Sequence, residues 1–180
     1  MHAPLRTATA LDELIAGVRE VVCRNVDAAA TGAAVADVLR EHISRAELLA
    51  PEQIAPDPSG YRQHILHVEP DGSFSVVALV WLPGQATQIH DHVSWCVVGV
   101  YRGEEQETTY ELRDANGDPH LVVTGEHANP TGSIANLVPP GDVHRVGNGS
   151  GDLAVSLHIY GADISKLGCS TRRRYDHEVR

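Results

Sequence analysis

The chain is short of several things, and each shortage removes a class of function. Lysine and arginine together number 14 against 24 acidic residues, for a formal net charge of −10. A nucleic-acid surface needs a basic stripe along the phosphates, and the one basic cluster, Arg172-Arg173-Arg174, is too small to supply it. Long apolar runs are missing as well. The longest near the middle, Val76 to Pro83, falls far short of the roughly 20 residues needed to cross a bilayer. No apolar run follows Met1-His2-Ala3-Pro4-Leu5-Arg6, so no secretory leader is expected. Cysteine is scarce: Cys23, Cys96 and Cys169 are odd in number, widely spaced and match no zinc-ligand spacing. The expectation is a reduced, cytoplasmic protein with neither membrane nor nucleic acid as a partner. No repeat, low-complexity stretch or linker divides the chain, so residues 1–180 are read as a single domain.

What is present suffices for a buried core. At 180 residues and 42% hydrophobic content, the chain needs no disulfide staples. Leu11, Leu14, Ile15, Val18, Val21 and Val22 recur at spacings of three and four, which lines one helical face. Asn25 to Gly32 interrupts that pattern, and Val35, Val38, Leu39 and Ile43 resume it until Pro51 and Pro56-Asp57-Pro58-Ser59-Gly60 enforce a loop. A helical layer over about residues 8–50 follows. From Tyr61 the period becomes two. Short β-rich runs are expected at 61–68, 74–82, 87–90, 95–101, 106–112, 120–124, 134–138 and 153–160, separated by turns such as Asp71-Gly72 and Asn116-Gly117-Asp118-Pro119. Many short strands at this spacing indicate a mainly β sandwich or barrel over about 61–162, with 163–180 left as a C-terminal tail.

The compositional oddity is 11 histidines, which matters only where they cluster. His90 and His92 stand at i and i+2 at the end of a β-run, so both imidazoles project from one face. His144 follows Pro139-Pro140-Gly141, a turn able to aim it at the same space. Three imidazoles leave coordination positions open, an arrangement of catalytic rather than structural metal sites; it suits zinc as well as iron. The other histidines (His2, His42, His64, His67, His120, His127 and His177) fall in no motif, and a surface place is expected for most of them.

Spacing sharpens this reading. Gly84, five residues, His90, one residue, His92, three residues, Cys96, six residues and Gly103 resembles the first cupin motif, with Cys96 where a Glu usually stands. Pro139-x-Gly141-x-x-His144-x-x-x-Asn148 resembles the second, with its leading glycine, Gly132, one place off. The fold implied is a cupin, a double-stranded β-helix or jelly-roll barrel. Loss of the carboxylate leaves a divalent metal its full positive charge, which favours an anionic ligand such as a thiolate and leaves room for O2 beside it.

From about Tyr61 to Tyr160 the sequence resembles the cysteine dioxygenase family of thiol dioxygenases, cupins that use Fe(II) on three histidines to convert a thiol to a sulfinate. The resemblance implies Fe(II) as cofactor, held by His90, His92 and His144, and a small thiol and O2 as the partners. Ser156-Leu157-His158-Ile159-Tyr160 resembles the family's outer-sphere Ser-x-His-x-Tyr set, and alternation puts Ser156, His158 and Tyr160 on one strand face. Tyr61-Arg62-Gln63 is similar to the substrate-carboxylate segment, with Gln63 in the place where cysteine-specific members carry Arg, as in the 3-mercaptopropionate branch. Trp81-x-Pro83-Gly84-Gln85 and His90-Asp91-His92-x-x-Trp95 also resemble that branch. There a C-terminal arginine binds the substrate carboxylate, which makes Arg172 and Arg173 candidates. Cys96 resembles the other branch, whose Cys cross-links to the tyrosine corresponding to Tyr160. A related iron cupin acting on another substrate, or a metal-binding cupin without catalysis, would keep the three histidines without needing the Ser156, His158, Tyr160 set.

Overall fold

The computed structural model describes residues 8–180; His2 and the rest of the first seven residues lie outside it. Two helices, α1 (Ala10–Val22) and α2 (Ala28–His42), precede ten strands. Thr9 caps α1 reciprocally: its hydroxyl accepts from the Asp12 amide, and the Asp12 carboxylate accepts from the Thr9 amide. The break expected over Asn25–Gly32 is shorter than that. The Asp27 carboxylate accepts from the Ala30 amide at 2.8 Å, and this cap starts α2 at Ala28 despite the poor apolar pattern there. A single 3-10 turn, Pro51–Ile54, follows.

The strands are β1 (Arg62–Val68), β2 (Ser75–Trp81), β3 (His90–His92), β4 (Cys96–Arg102), β5 (Glu104–Asp114), β6 (Pro119–Pro130), β7 (Ile134–Leu137), β8 (His144–Gly147), β9 (Ala154–Tyr160) and β10 (Thr171–Arg174). They form two five-stranded antiparallel sheets, in the orders β1-β2-β9-β4-β7 and β10-β3-β8-β5-β6. This is the mainly β cupin barrel with a helical layer. The run expected at 87–90 enters its ladder only at His90, and the strands β8 and β10 were not foreseen. The stretch read as a tail carries a one-turn helix, α3 (Ile164–Leu167), and then β10, which pairs with β3. Asn116 and Gly117, both at positive φ (61° and 84°), turn the long β5–β6 hairpin.

Alternation in the first sheet explains why β2, β4 and β9 read as nearly continuous apolar runs: both of their faces are covered. Val76, Ala78 and Val80 of β2, Val97 of β4, and Val155, Leu157 and Ile159 of β9 pack against Leu14, Val18, Val35 and Leu39 of the helices. The intervening Val77, Leu79, Trp81, Cys96, Val98 and Tyr160 face the barrel interior. The helical layer sits tightly on β4. A Cβ at Gly99 would come within 2.8 Å of Leu39 Cδ2, so glycine sets the approach distance there. Burial on the helix side holds β9 in register, and register is what presents Ser156, His158 and Tyr160 to the interior.

Candidate metal centre

His90 and His92 share the inner face of β3, and β8 brings His144 directly opposite His90. The three rings lie 4.7, 4.9 and 5.0 Å apart, centroid to centroid, and one ligand nitrogen from each falls within 4.8 Å of the others. All three side chains are buried. Among the described residues this is the group of histidine, cysteine and acidic side chains able to hold a metal ion.

Each ring is tied down through Nδ1. His90 Nδ1 donates to the Gln88 carbonyl at 2.9 Å, His92 Nδ1 to Asp142 Oδ2 at 2.9 Å, and His144 Nδ1 to Glu107 Oε1 at 2.6 Å. Asp142 also accepts from the His92 amide at 3.1 Å. Since each partner is an acceptor, the proton sits on Nδ1 and the Nε2 lone pair is left for a metal. His144 Nε2 tests the fit: it is buried and has no hydrogen-bond partner. Burial, then repulsion from His144 and His92, pushes the His90 imidazolium down to about 3, so the ring is neutral at ordinary pH. Burial opposes ionisation of Asp142 and Glu107. Their hydrogen bonds to His92 and His144 prevail and hold both carboxyls below the usual range.

The histidines line a cavity of about 260 Å3, together with Tyr61, Gln63, Trp81, His158, Tyr160 and Arg174. Along β9, Ser156 Oγ lies 2.9 Å from His158 Nε2, and Tyr160 Oη lies 3.1 Å from His158 Nδ1. Tyr61 stacks on Trp81 with centroids 4.6 Å apart. The β4–β9 register sets Cys96 opposite Tyr160, and Cys96 Sγ lies 3.9 Å from His158 Nδ1. Burial raises the Cys96 thiol and the Tyr160 phenol well above their ordinary values and holds His158 neutral.

The arginine placement departs from expectation. Neither Arg172 nor Arg173 lines the cavity. Arg172 donates to Asp91 Oδ2 from Nε at 3.1 Å, Tyr175 donates to the same oxygen at 3.0 Å, and Arg173 lies over the Tyr175 ring. Arg174 reaches the cavity instead. A register shift between Thr171 and Arg173 breaks the alternation of β10, so Thr171 and Arg174 both reach the cavity wall although they are three residues apart. Cys169 and Ser170, given no role from sequence, line it too.

Among the other histidines, His64 bonds the Ala55 carbonyl and His67 bonds Glu69. His42 is buried rather than at the surface, bonding the Val38 carbonyl from within α2.

Fold and site together define a cupin barrel with a buried three-histidine cluster of metal-ligand type. More particularly, the chain belongs to the cysteine dioxygenase type I family, whose model matches residues 3–177. It is 31% identical over 113 residues to cysteine dioxygenase type 1 of Danio rerio, covering 62% of this chain and 56% of that one. It is 32% identical over 92 residues to cysteine dioxygenase type 1 of Homo sapiens, covering 50% of this chain and 46% of that one. The match thus spans about half the length of these curated relatives. Similar solved structures include a Cupin 2 conserved barrel domain protein from Salinispora arenicola, at TM-score 0.45 and 17% identity, covering 67% of this chain and 92% of that one. A Klebsiella pneumoniae protein with a double-stranded β-helix domain matches at TM-score 0.47 and 18% identity, covering 66% and 92%. Among the described residues no helix is long and apolar enough to cross a membrane.

Proposed function

We propose that this protein is a non-haem Fe(II) thiol dioxygenase that adds both atoms of O2 to a small carboxylated thiol, of 3-mercaptopropionate or cysteine type, giving the sulfinate. The observation that carries the reading is the set of three buried imidazoles, each fixed through Nδ1, lining a cavity that Arg174 also lines. Iron held by Nε2 of His90, His92 and His144 would supply the redox chemistry and the open positions that bring sulfur and O2 together.

The chain's own residues do the rest. Asp142, Glu107 and the Gln88 carbonyl orient the imidazoles. Arg174 supplies the positive charge for the substrate carboxylate, while Gln63 and Tyr61 bound the same cavity and fix the substrate's orientation. Tyr160, held by His158, offers its hydroxyl to the reacting end of the substrate. A volume of about 260 Å3 restricts the reaction to small thiols. Gln63 has no charge to pair with the carboxylate, so we favour 3-mercaptopropionate over cysteine.

Metal analysis tests the site. As-purified protein should carry close to one equivalent of iron and His144→Ala should lose most of it, since two imidazoles hold Fe(II) poorly. Full iron retention in His144→Ala would remove His144 from the site.

A further inference from the structure

One buried ionisable group is used by nothing above. Glu105 of β5 is 2% exposed, and its Oε1 has no hydrogen-bond partner. Ser156 and Trp81 lie against its carboxyl. Trp81 Nε1 donates to Ser156 Oγ at 3.3 Å, and from Ser156 the chain runs through His158 to Tyr160 at the cavity. A line of polar groups therefore joins a buried carboxyl to the cavity's tyrosine.

Counting protons gives this line two directions. Ser156 has one hydroxyl proton, His158 is neutral with one N–H, and Tyr160 has one O–H. Ionised Glu105 can only accept, so the Ser156 hydroxyl donates its hydrogen bond to the carboxylate. Ser156 then accepts from His158 Nε2–H, the bare His158 Nδ1 accepts from Tyr160, and the Tyr160 proton points away from the cavity. Protonated Glu105 donates to Ser156 and the order reverses. Ser156 donates to Nε2, Nδ1–H donates to the Tyr160 oxygen, and the Tyr160 hydroxyl proton turns to the cavity side, where Ser170 lies against it.

We propose that Glu105 sets the direction of the hydrogen-bond chain through Ser156, His158 and Tyr160, and that only its protonated form presents the Tyr160 proton to the metal cavity. The consequence for turnover rests on the thiol dioxygenase reading; the direction of the chain does not. Burial raises the Glu105 carboxyl to about 7, so both directions lie within reach of ordinary pH. Glu107 on its own strand raises it further, while Ser156 and Trp81 act the other way. Cys96 of β4 and His158 and Tyr160 of β9 have shifts that keep all three neutral across this range. Tyr101 of β4 bonds the Ala46 carbonyl, His144 of β8 bonds Glu107, and Arg102 of β4, Glu126 and His127 of β6 and Arg145 of β8 are exposed to solvent. Glu105 also lines a crevice of about 10 Å3 with Asn129 and Ser133, near the lower size limit for one water.

The test uses metal-free protein labelled with 15N in histidine, with NMR reading which nitrogen of His158 carries the proton. In wild type His158 should be the Nδ1–H tautomer at low pH and convert to Nε2–H with a midpoint near 7, matching loss of a protonated-carboxyl infrared band. Glu105→Gln, which does not titrate, should hold a single His158 tautomer throughout. A His158 tautomer that ignores pH in wild type, or that still switches in Glu105→Gln, overturns the proposal; the wild-type titration stands alone if the variant does not fold. No metal, thiol or turnover enters this measurement, so it holds or fails apart from the thiol reading. With iron-loaded protein, wild-type kcat should fall as pH rises through the same midpoint and Glu105→Gln should abolish that fall. An identical fall in both would also overturn it.

Discussion

Replacing Glu105 with glutamine should change how stability depends on pH. The ordinary glutamate value is 4.5 and burial raises Glu105 to about 7, because no charged partner offsets its desolvation. At about 1.4 kcal/mol for each pH unit of difference, ionising this carboxyl inside the native fold costs about 3 kcal/mol. The sign follows from proton counting. Between about 4.5 and 7 the native state keeps a proton that the unfolded chain has released. Stability is therefore present in full below the unfolded value and is lost as pH rises through the native one. Glutamine is nearly isosteric and does not titrate, so Glu105→Gln should lack this loss. Urea unfolding of metal-free wild type and variant, at matched pH from about 5 to 8, provides the assay. Every other residue is common to both proteins, so its contribution cancels in the difference. The variant should gain about 2–3 kcal/mol relative to wild type across that range. Parallel curves would show that Glu105 is already satisfied as a carboxylate, and the account of its burial would be wrong.

Two further outcomes concern the cavity. Tyr160→Phe keeps the ring but removes the hydroxyl, so iron content should stay near wild type while kcat drops by about 10–100-fold; unchanged kcat and KM would make the Tyr160–His158 pair structural. Arg174→Gln should raise KM for 3-mercaptopropionate roughly tenfold, the effect of losing a charge-assisted hydrogen bond at a partly exposed site, and spare thiols that lack a carboxylate. Gln63→Arg should shift relative kcat/KM toward cysteine. Fastest turnover of cysteine by wild type, with an intact mass reduced by the hydrogen pair lost in a Cys96–Tyr160 thioether, would contradict that assignment.

The cavity's β9 wall was legible because a strand of strict alternation leaves little choice. Once β9 is placed against the helices through Val155, Leu157 and Ile159, the positions of Ser156, His158 and Tyr160 follow. The same holds for His90 and His92, with a glycine- and proline-rich turn aiming His144. What escaped reading lies where alternation breaks or where a charged pattern looks solvated. The β10 register shift exchanges Arg172 and Arg173 for Arg174 at the cavity, and no local signal distinguishes three consecutive arginines. Glu105 and Glu107 stand in an acidic stretch that reads as a wet edge strand. β5 is instead an inner strand paired with β8 and β6, and alternation puts Glu105 and Glu107 together on its inward face. The start of α2 was hidden by an alanine-rich first turn with no apolar face, where the Asp27 cap decides the boundary.

Whether this three-histidine cavity oxygenates a small thiol is a matter of O2 uptake and product. Oxygen uptake by iron-loaded protein, with product identified by mass spectrometry under 18O2, tests it most directly. One O2 should be consumed per 3-mercaptopropionate, both labelled atoms should appear in a sulfinate product, and His144→Ala should lose the uptake. Iron-loaded protein that consumes no O2 with 3-mercaptopropionate, cysteine or other small thiols would contradict the thiol dioxygenase reading.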